Sequence, residues 1–285
     1  MKQKKILAAL LALAMLLALC ACGGSNAPAE TRTTPEEEAE PVELIVFAAA
    51  SMTETLEEIA GLYKTVAPNV TLIFNFDSSG TLKTQIEEGA DVDIFISAGQ
   101  KQMDQLDIDA DASVNTDGLD FVLAGSRVDL LENKVVLAVP DGNPKGIGSY
   151  DDMAAGLGDG SILMAMGNED VPVGQYTQKI LAWYGLDEAA LAGAGSLTYG
   201  SNVKEVTTQV SEATVDCGVI YQTDAYSANL EVVDTAAAEM CGQVIYPAAV
   251  MNVSKNAGAA QAFLDYLSTV PAAAVFEGVG FTMMG

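Results

Sequence analysis

Four places in the chain join the end of an apolar run, a small or polar turn and the start of a helical pattern: Ser51, Ser79, Val173 and Val203. The first turn of a helix carries N–H groups with no intrahelical partner, and the helix dipole favours negative charge there. Such a corner suits an anion. Ser51 follows the run LIVFAAA and stands three residues before Glu54, a capping-box spacing. The alanines before it allow close approach by another backbone or by a ligand. Ser79 lies in the turn DSSG. At both serines a hydroxyl and backbone N–H groups are available, whereas at Val173 and Val203 only the backbone donates. Tyr221 ends a further apolar run, DCGVIY. From the residues alone each position also has a plainer reading: Ser51 a helix cap, Ser79 a turn residue, the two valines ordinary first-turn residues, Tyr221 a core aromatic. Gathered around one cleft, the four helix starts would hold a small oxyanion by neutral dipoles. Hydrogen bonds to an anion are stronger than neutral ones, so no charged partner is required.

Composition narrows the alternatives. The chain has 285 residues, 50% of them hydrophobic and 18% charged, which is a globular composition with room for two lobes. Its formal charge is −26, and of thirteen basic residues only Arg32 and Arg127 are arginine. That argues against nucleic acid, which needs a Lys/Arg footprint. An acidic surface fits a protein kept soluble outside the cytoplasm. The absence of histidine excludes Ser-His-Asp and Cys-His catalysis. No acid pair at helix spacing is aimed at the cleft, so the chain reads as a binder and not an enzyme. The acidic charge with Tyr221 and Tyr226 leaves a ferric-iron receptor as an alternative, although such sites want several converging Tyr or carboxylate ligands. Asp107, Asp109 and Asp111 alternate, but no EF-hand glycine or bidentate Glu stands at the right offset. The segment 107–120 reads as a solvated loop.

The N-terminus reads as an address. Lys2, Lys4 and Lys5 precede an apolar run from Ile6 to Leu19, the pattern of a signal peptide. The following LCACGGS is similar to a bacterial lipoprotein signal with Cys22 as the lipidated residue. Removal of 1–21 takes the three lysines and leaves the chain anchored to the outer face of the cell membrane. Residues 22–42, rich in Pro, Thr and Glu, are expected to form a disordered tether.

Beyond the tether, strand and helix patterns alternate: strands at 44–47, 70–76 and 93–98, helices at 52–63, 81–88 and 100–106. Near-continuous apolar strands predict a mainly parallel sheet covered by helices on both faces, an α/β class. Lys134–Pro140 is expected to cross into a second lobe and Val244–Asn252 to return. This gives a first lobe of 43–132 and 248–285 and a second of 133–247, joined by two crossover strands. Cys217 and Cys241 remain after processing. An extracytoplasmic setting permits a disulfide between them, and the apolar strand around Cys217 permits a buried thiol equally well.

The segments VFAAASMTETLEEIA, FDSSGTLKTQIEEGADVDIFISAGQKQMD, GNEDVPVGQYTQKIL, GSNVKEV, GVIYQTDA, YPAAVMN and FLDYL…AAAVFEGVGFT occur in order from Glu43 to Thr282. Together they resemble the molybdate-binding proteins of bacterial molybdate ABC transporters. The resemblance implies a two-lobed type II periplasmic-binding fold that takes molybdate or tungstate between the lobes and passes it to an ABC permease, as a monomer, with no cofactor and no catalysis. It implies ligand contacts from the hydroxyl and N–H of Ser51 and Ser79, the N–H of Val173 and Val203, and the phenol of Tyr221. Gly80 stands where a third serine is common, a change expected to loosen that corner. Molybdate and tungstate have longer metal–oxygen bonds than sulfate, so fixed donors select by size. A sulfate or phosphate receptor of the same fold is the nearer alternative. Protonated phosphate needs an acceptor, and Asp77, Glu169 and Asp170 flank the motifs without standing at an expected contact.

Overall fold

The computed structural model describes residues 40–284. The expected signal peptide, Cys22 and the tether as far as residue 39 lie outside the described residues. The described residues begin with β1 (Val42–Ala49), a single 3-10 turn (Ala50–Met52), α1 (Thr53–Val66), β2 (Val70–Asp77), α2 (Ser79–Glu87), β3 (Ile94–Ile96) and α3 (Gln100–Asp104). After a long loop, β4 (Val128–Asn133) and β5 (Val135–Val139) are separated by Lys134 alone. The second lobe continues with α4 (Tyr150–Asp159), β6 (Met164–Gly167), α5 (Pro172–Trp183), α6 (Glu188–Ala194), β7 (Leu197–Gly200), α7 (Val203–Ser211), β8 (Cys217–Tyr221), α8 (Gln222–Ser227) and β9 (Glu231–Thr235). The short α9 (Ala238–Cys241) leads back to β10 (Val244–Val250), α10 (Ala257–Tyr266), α11 (Val270–Gly278) and β11 (Thr282–Met283).

The first sheet has the order β11-β4-β10-β3-β1-β2 and the second β7-β6-β8-β5-β9. Both are mixed, where the strand–helix alternation predicts mainly parallel sheets. β1, β2 and β3 are parallel, as are β6, β7 and β8. The strands that pass between lobes run the other way: β10 is antiparallel to β3 and β4, and β5 is antiparallel to β8 and β9. The expected lobe boundary at 247 also moves. Val244 pairs with Asn133, so the whole of β10 lies in the first sheet and the return occurs between β9 and β10. β4, β7 and β9 are absent from the strand pattern of the sequence because their runs are short or carry acids, as in VDLLEN, LTYG and EVVDT.

Register brings the corners together. Ala49 pairs with Asp77 and Ala48 with Ile96, so Ser51, Ser79 and Ala98 all stand just past one edge of the first sheet. In the second lobe Gly167 pairs with Gly200, which sets the turns before Pro172 and Val203 side by side. These are the carboxyl ends of parallel strands, the usual ligand edge of an open α/β sheet. Buried Leu44, Val46, Leu56, Ile59 and Ile94 hold the first lobe beneath this edge, and Val136, Leu137, Met164, Val206 and Val219 hold the second.

Candidate functional site

Ser51 does not cap a helix. α1 starts after Met52 without a side-chain cap, so the capping box with Glu54 is not made. The Ser51 hydroxyl, 3% exposed, lies 2.9 Å from the Tyr246 hydroxyl. Ser79 is not the cap of α2 either. Ser78 takes that role by accepting the Thr81 N–H, and this leaves the Ser79 Oγ to accept the Ala98 N–H at 2.9 Å. α5 starts with Pro172 as its first residue, where the missing N–H costs nothing. α7 is capped by Asn202, whose side chain accepts the Glu205 N–H.

Ser51, Ser79, Val203 and Tyr221 line one small space between the lobes, with Ala50, Ala98, Pro172 and Asp77 among its other walls. Its volume is about 10 Å³, the room of a single water, so the lobes are drawn tightly together here. Val173 is fully buried but does not line this space. Its helix start reaches it through Val171 and Pro172. No Lys or Arg is among the lining residues. The Tyr221 hydroxyl donates to the Ala98 carbonyl at 3.4 Å, a long bond. Burial holds the Tyr221 phenol well above its usual range, so it stays a neutral O–H donor.

Asp77 is the one carboxylate on the wall. Its Oδ1 accepts the Ser78 N–H at 2.7 Å and the Asn202 Nδ2 at 3.4 Å, the latter from the other lobe. Gly80 does not loosen its corner. A Cβ at this position would lie 2.1 Å from the backbone oxygen of Asp170, so glycine is what lets α2 meet the second lobe.

Four residues around the space escaped the sequence reading. Asn133 and Tyr246 sit behind Ser51. Lys204, next to Val203, bonds both oxygens of Glu54 at 2.8 Å and lies 3.4 Å from Asp224. Asp224 is 1% exposed and neither oxygen has a hydrogen-bond partner among the described residues. Burial pushes its carboxyl up to about 6 against the pull of Lys204.

Other expectations are settled away from this space. Cys217 and Cys241 are both free and buried, so the permitted disulfide is not formed. Burial raises the Cys217 thiol to about 12. Tyr226 is 60% exposed while Tyr221 is buried, so the two phenols do not converge as an iron site requires. Among the described residues no group of three or more His, Cys, Asp or Glu could hold a metal ion. The acidic loop is partly tied down: Asp107 and Asp104 clasp Arg127, and Asn115 bonds the carbonyls of Asp107 and Leu119.

Residues 44–282 match the family model described as bacterial extracellular solute-binding protein. The putative ABC transporter substrate-binding lipoprotein YvgL of Bacillus subtilis is 31% identical over 99% of this chain and 98% of its own. The molybdate-binding protein ModA of Escherichia coli is 33% identical over 84% of this chain and 89% of its own. Among solved structures, the substrate-binding domain of a putative molybdenum ABC transporter from Clostridium difficile is 30% identical, with a TM-score of 0.61 over 86% of this chain and all of that one. The fold is the two-lobed type II periplasmic-binding fold, and the site belongs to a protein that binds and does not catalyse. The chain is a member of the bacterial extracellular solute-binding protein family.

Proposed function

We propose that this protein captures molybdate, or tungstate, between its lobes and delivers it to the permease of an ABC importer. The observation that carries this is the meeting of Ser51, Ser79, Tyr221 and the starts of α5 and α7 around one small space with no cationic side chain. A tetrahedral dianion there takes hydrogen bonds from the hydroxyls of Ser51, Ser79 and Tyr221 and from the N–H groups of Val203 and of Val173, the latter from just behind Pro172 at the start of α5. Each charge-assisted bond contributes about 1.5–3 kcal/mol. The lobes open to admit the anion and close on it as a hinge. The present space has the room of one water and widens to take the anion, and donors set at molybdate spacing then leave the shorter sulfate with long contacts. The names of the Escherichia coli and Clostridium difficile relatives support the same anion. The protein works as a monomer without a cofactor. A lipid on Cys22 holds it to the outer face of the membrane, a reading supported by the LCACGGS segment and by a relative named as a lipoprotein.

One observation favours a second reading. Asp77 is a carboxylate on the wall of the space, and a carboxylate accepts the proton of hydrogen phosphate. Calorimetric titration of the purified chain with molybdate, tungstate, sulfate and phosphate separates the two. Tight one-to-one binding of molybdate and tungstate, with phosphate silent, supports the first. Phosphate binding best supports the second, and heat from none of the four rejects both.

A further inference from the structure

Behind Ser51 lies a buried chain of polar groups with only one consistent direction. It starts at the backbone N–H of Lys134, which can only donate, and which donates to Asn133 Oδ1 at 2.8 Å. That fixes the amide, so Asn133 Nδ2 faces Thr223 Oγ1 at 3.0 Å and Tyr246 Oη at 3.2 Å. An amide nitrogen has no free lone pair, so both of these are donations. The close hydrogen-bond contacts of Tyr246 Oη among the described residues are Asn133 and Ser51 Oγ, the latter at 2.9 Å, with the Tyr221 hydroxyl as a weaker neighbour. Tyr246 therefore accepts from Asn133 and gives its own proton to Ser51. In the reverse order Tyr246 would receive two protons and keep a buried proton with no acceptor but the more weakly placed Tyr221 hydroxyl, a state disfavoured roughly tenfold or more. Asn133 is 3% exposed and Tyr246 fully buried, so bulk solvent reaches neither group.

We propose that Asn133 and Tyr246 are positioning residues that turn the Ser51 hydroxyl outward, so that Ser51 gives a proton to the bound anion and takes none. This rests on the oxyanion-binding reading above and deepens it. Ser79 is set the same way by a different donor, since its Oγ accepts the Ala98 N–H and its proton is left for the ligand. Both serine hydroxyls thus act as donors. The class of ligand they favour is a fully deprotonated oxyanion, because each Oγ already accepts one proton from the protein and directs its own proton at the ligand. The chain begins at Lys134, the single residue between β4 and β5, so the direction of the Ser51 proton is set at a crossing between lobes.

Two measurements test this. In the ligand-free full-length protein, the Tyr246 hydroxyl proton is expected as a slowly exchanging NMR resonance with cross-relaxation to the Ser51 β-protons. A resonance directed to Tyr221 instead, or rapid exchange with water, overturns the relay whether or not any oxyanion binds. The second is a double-mutant cycle with molybdate and phosphate as probes. Tyr246→Phe is expected to weaken molybdate about fivefold or more and to raise the ratio of phosphate to molybdate affinity. In the Ser51→Ala background the same change is expected to have no further effect. Equal losses in both backgrounds, or an unchanged ratio, overturn the proposal. If the wild type binds no oxyanion, the molybdate reading fails and the NMR measurement alone decides the relay.

Discussion

Lys204 Nζ lies 2.8 Å from each carboxylate oxygen of Glu54, and this pair joins the two lobes beside the site. Glu54 belongs to the helix that follows Ser51, and Lys204 follows Val203 on α7. The contact forms only when those two helix starts face each other. Both side chains are partly exposed, so the pair is worth about 0.2–1 kcal/mol. Glu54→Gln should weaken molybdate binding by about two- to fivefold, mostly through faster release. The difference should shrink as salt rises, because exposed pairs are screened. A loss that is independent of salt would show that closure does not use this charge.

Asp224 makes stability depend on pH in an unusual sense. Burial raises its carboxyl from the ordinary 3.8 to about 6, with Lys204 opposing and Glu54 reinforcing the rise. Between those values the folded chain keeps a proton that the unfolded chain has released. The contribution of this group is therefore complete below about 4 and is lost as pH rises through about 6. Asp224→Asn removes the term. Thermal melts at a series of pH values should show the Tm of the variant gaining on the wild type as pH rises through that window. A gap that stays constant would mean that Asp224 is ionised throughout.

Gly80 should control closure without controlling folding. Its backbone is helical, where alanine is ordinarily favoured over glycine. Yet a methyl group there meets the Asp170 backbone oxygen at 2.1 Å, so the lobes cannot reach their present approach. Gly80→Ala is expected to lower molybdate affinity by about tenfold or more, or about 1.4 kcal/mol. The Tm without ligand should stay the same or rise. A variant that binds as tightly as the wild type would show that α2 and the 168–171 turn move apart at no cost.

The corners of the site were legible in the sequence and their wiring was not. FAAAS and DSSG announce a strand end, a tight turn and a helix start within a few residues, and β1 and β2 then pair in register. The helix-cap reading of Ser51 fails because local spacing cannot show the phenol 195 residues away that holds its hydroxyl instead. Asn133 and Tyr246 come from β4 and β10, whose pairing no local pattern encodes. Val173 marks the right helix, but the space is touched by the two residues before it. Gly80 looked like a lost hydroxyl because its neighbour is Asp170 of the other lobe.

Two buried tyrosines should respond in opposite ways to loss of the hydroxyl. Tyr221 faces the space and makes only a 3.4 Å bond to Ala98, so its donor is available to the anion. Tyr221→Phe is expected to weaken molybdate by about ten- to a hundredfold, the worth of one hydrogen bond to a charged group, with little change in Tm. Tyr150, the first residue of α4, has a buried hydroxyl with no partner among the described residues. That group is desolvated without compensation, and burial drives its pKa well above the usual range. Tyr150→Phe should leave binding unchanged and raise stability by up to about 1 kcal/mol. Denaturant melts and calorimetry on both variants check the contrast. A loss of stability at Tyr150 would mean that its hydroxyl bonds a buried water, and unchanged binding at Tyr221 would remove the phenol from the ligand set.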